Sequence, residues 1–101
     1  MAKVSVINKN NKRIKLSDRF FKKRQALKKI IMNKKISLEE RFKVQQKLSN
    51  LPRNSAKNRV MNRCQITGRT KAYMRDFGID RVTFRKYARE GKIMWLRKAS
   101  W

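Results

Sequence analysis

Twenty-four uncompensated positive charges on 101 residues are the first limit on what this sequence can fold into. Lysine and arginine number 30 against 6 acids, and histidine is absent. Compaction brings those cations together, and their repulsion opposes the compact state. The opposing force is small. Leucine, isoleucine, valine and phenylalanine supply 24 side chains, just above the share of a disordered chain. A core of that size offsets only part of the conformational entropy lost on folding. The chain is therefore expected to need a polyanionic partner to become fully ordered. Its length permits one small domain, or less than one domain plus basic extensions.

The same residues exclude most chemistry. Without histidine there is no imidazole base and no imidazole metal ligand. The single cysteine, Cys64, rules out an intramolecular disulfide and cannot build a thiolate zinc site unaided. With no imidazole to activate it, it reads as an inert thiol. The adjacent acids Glu39 and Glu40 would sit about 100° apart on a helix and do not converge. Gly68, Gly78 and Gly91 fit neither dinucleotide-binding nor P-loop spacing. No enzyme is expected.

A membrane role is not expected either. The longest wholly apolar stretch is Ile93-Met94-Trp95-Leu96, far short of the ~20 residues that span a bilayer. Residues 1–17 lack acids, as a targeting peptide would, but hold one arginine, Arg13, and are interrupted by Asn8, Asn10 and Asn11. No cleaved leader is expected.

Residues 1–52 read as a basic N-terminal arm and a helical hairpin. Residues 1–16 carry scattered Val and Ile with weak helical tendency. From Ser17, Phe20, Phe21, Leu27, Ile30 and Ile31 recur near the helical period until Asn33 and Lys34-Lys35. A second helix opens at Ser37-Leu38-Glu39-Glu40, a capping-box pattern, and carries Leu38, Phe42, Val44 and Leu48. Pro52 forbids its continuation. The narrow apolar faces of the two helices are expected to meet.

Residues 53–101 change character. Before Pro52 there are 12 Lys and 4 Arg; after it, 5 Lys and 9 Arg. Guanidinium forks bind phosphate bidentately and stack on bases, whereas lysine acts as a hydrated point charge. The first half thus reads as an electrostatic arm and the second as the specific contact module. Arg53, Arg59, Arg63, Arg69 and Arg75 recur through a turn-rich stretch. A short helix follows, with Asp80 as its cap and Gly91 at its stop. On it Arg81, Arg85 and Arg89 form an i, i+4, i+8 ridge, with Phe84, Tyr87 and Ala88 facing inward. Glu90 is the sole acid after Arg81, so phosphate contact is favoured over a merely solvated stripe. Trp95 and Trp101 in the basic tail could stack on bases or anchor the tail on protein.

One spacing is sharper. Cys64-x2-Thr67 is followed, twelve residues on, by Asp80-x2-Thr83, the layout of a four-cysteine zinc ribbon with three cysteines missing. Around it stand Leu51-Pro52-Arg53-Asn54-Ser55, Arg59, Asn62-Arg63-Cys64 and Thr67-Gly68-Arg69. Phe77-Gly78, Arg81, Arg85, Gly91 and Lys98-Ala99-Ser100-Trp101 continue the pattern. Together these residues closely resemble the small-subunit ribosomal protein fourteen family. The resemblance is dense over residues 51–101. It departs at Asp80, where the family commonly has Ser or Cys, and at Thr70, where Pro is common.

The family has short members with four zinc-binding cysteines and longer members with an N-terminal helical extension and no zinc. This chain looks like the longer, zinc-free bacterial or organellar type. The implied fold is mostly α with irregular segments: an N-terminal helical extension, then a small metal-free zinc-ribbon-like module ending in a short helix and basic tail. No cofactor is expected, and Cys64, Thr67, Asp80 and Thr83 are relic positions not expected to bind metal. The implied function is structural: binding the 3′ major domain of small-subunit rRNA in the subunit head, supporting assembly and decoding-site conformation. Small-subunit proteins three, ten and nineteen would be its neighbours, with no homo-oligomer. The residues expected at RNA are Arg53, Asn54, Ser55, Arg59, Arg63, Arg69, Arg75, Arg81, Arg85 and Arg89.

A DNA-compacting basic protein is the main alternative, since it would share the charge. A cationic membrane-active peptide would want one long amphipathic helix, which Pro52 breaks. Eight Asn, eight Ile and 17 Lys suggest an AT-rich coding genome. That fits a bacterial cytoplasm, a mitochondrial matrix or a plastid stroma alike.

Overall fold

A computed structural model describes residues 1–97 and residue 99. In chain order it contains α1 (Val4–Met32), α2 (Leu38–Ser49), two single 3-10 turns (Arg53–Ser55 and Lys57–Arg59), β1 (Tyr73–Met74), β2 (Ile79–Asp80) and α3 (Arg81–Arg89). The expected mostly helical chain with irregular segments is observed, with one small antiparallel sheet added. The fold falls into two compact units, Asn8–Val60 and Met1–Ile7 with Met61–Trp101. The sequence suggested a division at Pro52; the units divide after Ile7 and after Val60. Trp101 lies outside the described residues.

The first difference from expectation is at the N-terminus. Residues 4–16 are not an arm but the start of α1, which runs for 29 residues, about 44 Å at 1.5 Å per residue. Its shielded positions in the Asn8–Val60 unit are Asn10, Arg13, Leu16, Ser17, Phe20, Arg24, Leu27 and Ile31. They fall about every three or four residues, as one face of a helix must. Leu16 is the one apolar residue among the first four, so a search for apolar periodicity finds only the second half. Asn10 and Ser17 are the buried residues of this helix.

The second difference is at α2. Ser37 takes the N-cap position with extended backbone, but its hydroxyl makes no cap hydrogen bond. Glu39 and Glu40 lie in the first turn, where carboxylates favour the helix dipole. No residue of α2 is buried, and Leu38 and Phe42 are exposed. Val44 and Leu48 are half-buried, so the expected apolar face is shielded only in part. Polar ties accompany it. Arg41 Nε donates to the Ile31 carbonyl at 2.9 Å. Arg24 Nε donates to Ser55 Oγ, and its Nη2 to the Pro52 carbonyl, both at 3.0 Å. Two narrow faces among so many cations have too little apolar area to bury, whereas guanidinium groups can satisfy carbonyls near the ends of their helices.

The other unit is built on a very small core. Cys64, Ile79 and Phe84 are buried, with Met74, Tyr87, Ile93 and Leu96 packed against them. The Phe77 and Phe84 rings tilt against each other at 4.7 Å. β1 and β2 pair with Tyr73 opposite Asp80 and Met74 opposite Ile79. β2 runs directly into α3. That helix stops as expected at Gly91, whose φ is +69°. The Gly91 amide donates to the Ala88 carbonyl at 3.2 Å and the Lys92 amide to the Tyr87 carbonyl at 3.0 Å. This pair of bonds is a Schellman motif, which glycine closes at least cost.

Candidate nucleic-acid interface

The chain from Cys64 to Arg69 doubles back on itself. The Cys64 amide donates to the Arg69 carbonyl and the Gly68 amide to the Cys64 carbonyl, each at 2.9 Å. The Thr67 amide points at Cys64 Sγ, 3.5 Å away. The Gln65 amide, donating to the Gly78 carbonyl at 3.1 Å, ties this turn to the end of the hairpin. Gly68 permits the turn in two ways. Its φ is +73°, and a Cβ there would lie 2.9 Å from Ile7 Cδ1 and 3.0 Å from Ala2 Cβ. Gly68→Ala is therefore expected to destabilise this unit by about 1–3 kcal/mol, from left-handed backbone strain and overpacking together. Chemical denaturation with a tryptophan or circular-dichroism readout measures it.

The four zinc-spaced positions come together around one carboxylate. Thr83 Oγ1 donates to Asp80 Oδ1 at 2.5 Å, and Thr67 Oγ1 approaches the same oxygen at 3.4 Å. Cys64 joins them through its sulfur, which the Thr67 amide approaches at 3.5 Å. Asp80 stands at the N-cap of α3 as expected, but without a side-chain cap hydrogen bond, and is only 2% exposed. The Thr83 hydroxyl, followed by the Cys64 thiol and nearby amides, holds its carboxyl below the usual value against the opposing effect of burial. Burial pushes the Cys64 thiol up, but its hydrogen bonds with Thr67 and with the Asp80 and Ile66 backbone together bring it below its ordinary value.

These groups do not fit a zinc ion. They offer one thiol, one carboxylate and two hydroxyls, where a structural site wants four sulfur or nitrogen donors. The carboxylate, moreover, is already spent on the hydroxyls. The cluster is held together by hydrogen bonds to one carboxylate, and those bonds are pH-sensitive. Because the folded pKa of Asp80 is lowered, its stabilisation is fully present above the unfolded value of about 3.9. It is lost as pH falls through the folded value. Thermal unfolding should show the wild type losing stability between pH 5 and pH 2, with Asp80→Asn less stable at pH 7 and flatter across that acid range.

The expected RNA contacts fall in both units. Arg53, Asn54 and Arg59 are exposed beside the 3-10 turns, and Arg59 Nη1 donates to Asn54 Oδ1 at 3.1 Å. Ser55 differs from the rest: it is 1% exposed, donates its hydroxyl to the Pro52 carbonyl and accepts from Arg24. In the other unit Arg69, Arg75, Arg81, Arg85 and Arg89 are exposed. The last three project from α3 opposite the buried Thr83 and Phe84. Arg63 is half-buried, with Nη1 donating to the Gly68 carbonyl at 2.9 Å. Sequence reasoning missed Arg24, which braces the Pro52 turn. An arginine inside a lysine-rich helix was the available signal.

Comparison with known proteins adds what geometry cannot supply. The family model described as ribosomal protein S14p/S29e matches residues 47–100. That span is more than half of the chain. The chain belongs to the S14 family of ribosomal proteins. Among its relatives, the small ribosomal subunit protein uS14 of Pelagibacter ubique is 71% identical over 101 residues, covering all of both chains. The proteins of the same name from Orientia tsutsugamushi and Mesorhizobium japonicum are 52% and 50% identical, again over the full length of both. Membership of the S14 family thus extends through α1 and α2 and is not confined to the matched segment. Within this S14 chain, no described helix is long and apolar enough to cross a membrane.

Proposed function

We propose that this protein is a structural, non-catalytic constituent of the small ribosomal subunit, where its arginines bind small-subunit rRNA. The observation that carries the reading is the 71% identity, over the whole chain, to a protein named for that subunit. The physical support is the net charge of +24 and the exposed guanidinium groups of both units. Cations at this density let several mutually repelling RNA helices approach one another, and each neutralised phosphate releases counterions. The chemistry needed is positional, and no reaction follows from it.

The finer reading rests on the resemblance of residues 51–101. In it the protein lies in the subunit head on the 3′ major domain of the rRNA, supports assembly and the conformation of the decoding site, and neighbours ribosomal proteins three, ten and nineteen. It acts as a single copy without zinc or another cofactor. Residues 53–101 carry the contacts and residues 1–52 the helical extension. A bacterial cytoplasm is favoured over an organelle because the relatives named above are bacterial.

Sucrose-gradient sedimentation of cell lysate tests the reading against DNA compaction. The protein should travel with small subunits after DNase treatment and leave that position after RNase. Sedimentation with the nucleoid, lost on DNase treatment, would reverse the assignment.

A further inference from the structure

The sequence leaves two uses open for Trp95, anchoring the basic tail on the protein or stacking on a base. The structure removes the first. Among the described tail residues, Ile93 and Leu96 pack against the core of Cys64, Ile79 and Phe84. Trp95 stands between them in a turn and is 97% exposed. The tail is thus fixed to the protein on both sides of an indole that stays in solvent. Backbone conformation adds a second cost. The φ of Trp95 is +63°, in the left-handed region where a side chain crowds the following carbonyl. A turn position with positive φ ordinarily takes glycine, and a bulky residue there is rare.

Neither the exposed ring nor the strained backbone is offset by burial within the chain. Strain of this kind persists where the surrounding structure enforces it, and it clusters at positions that bind something. The surrounding charge says what is bound. Lys92, Arg97 and Lys98 flank the turn, and Glu90 is the one acid from Arg81 to Trp101. Its carboxylate is already held by Lys92 Nζ at 2.6 Å. Such a segment attracts a polyanion and offers little to a cationic partner. The flat aromatic group that a polyanion can lay on an indole is a nucleobase.

We propose that Trp95 stacks on one unpaired base of the small-subunit rRNA. The proposal rests on the rRNA-binding reading and adds to it a contact made by an aromatic ring, with no arginine or phosphate in it. Every base has a π-face, so the ring selects a base that is splayed out of its helix rather than a particular sequence. Ile93 and Leu96 hold the turn on the core. The ring is therefore presented in place, and little freedom is left for the tail to lose on binding.

The test sets stability against binding. In the free protein, Trp95→Gly removes the left-handed strain and should raise the midpoint of thermal unfolding by about 2–6 °C. Titrated into small subunits assembled without this protein, the same variant should need about tenfold more for half-saturation, the scale of one base–aromatic stack. Trp95→Phe keeps an aromatic face and should bind within about threefold of the wild type. Acylation of ribose 2′-hydroxyls reports which nucleotides are free to move. One nucleotide should become reactive with Trp95→Gly and be protected again with Trp95→Phe. A firmer protein that binds more weakly is the signature, because a purely structural indole would move both in the same direction. Three results overturn the proposal: undiminished binding by Trp95→Gly, stability and binding that fall together, or weaker binding with no nucleotide changed, which would seat the indole in a neighbouring protein. Wild-type protein that leaves every rRNA reactivity of those subunits unchanged would overturn the rRNA reading itself, a result distinct from these three.

Discussion

The triple variant Thr67→Cys, Asp80→Cys, Thr83→Cys should bind one zinc ion per chain where the wild type binds none. Cys64 already sits in a turn whose Thr67 amide points at its sulfur. Thr67 and Thr83 both reach toward the Asp80 carboxylate from their own elements. Four sulfurs on these positions would converge, and tetrahedral coordination asks for Zn–S distances of about 2.3 Å. Without metal the variant should be less stable than the wild type, because the Asp80 hydrogen bonds are gone. With zinc the order should reverse, since metal affinity that exists only in the folded chain stabilises it, by on the order of 10 kcal/mol in small zinc modules. Cobalt titration reports tetrahedral thiolate by its visible bands, and unfolding with and without chelator reports the stability. One zinc in purified wild type would refute the metal-free reading. A reduced triple variant that binds neither metal would show that residues 64–83 have lost a zinc-module shape.

Replacing Arg81, Arg85 and Arg89 together by glutamine should flatten the salt dependence of rRNA binding by about two to three units of log K per log salt, from roughly 0.7–0.9 per phosphate. At 0.1 M salt, with the affinity at 1 M unchanged, that is a loss of about a hundredfold to a thousandfold. The helix should survive, because its buried residues Thr83 and Phe84 are untouched and glutamine is a good helix former. Filter binding across a salt series, with circular dichroism as the control, separates the two effects. An unchanged slope would mean that the ridge faces solvent.

Local rules made some elements legible. Pro52 ends the region of α2, Gly91 ends α3, and Asp80 stands at the start of α3, each because a backbone preference acts within a few residues. The inward set on α3 was readable for the same reason. Phe84 is buried and Tyr87 half-buried because their spacing puts them on one face. The first half of α1 was not legible. Its shielded stripe is mostly polar, Asn10, Arg13 and Ser17 with Leu16, and no hydropathy pattern marks polar residues as shielded.

What the sequence determined by itself was charge, class and stopping points. A chain with +24 and no histidine is directed toward a polyanion and away from acid–base catalysis, whatever its fold. Tertiary structure alone decided how the polar residues pair. Ser55 and Arg24 are 31 positions apart and Thr67 and Asp80 are 13 apart. Each side chain is individually suited to solvent or to RNA. Only chain closure brings the donor to its acceptor and withdraws Ser55 from the surface. The same closure leaves Arg63 Nε buried without a partner, a condition that no residue identity or spacing contains. Polar pairing requires two groups to meet at about 3 Å, and that distance is a property of the folded backbone.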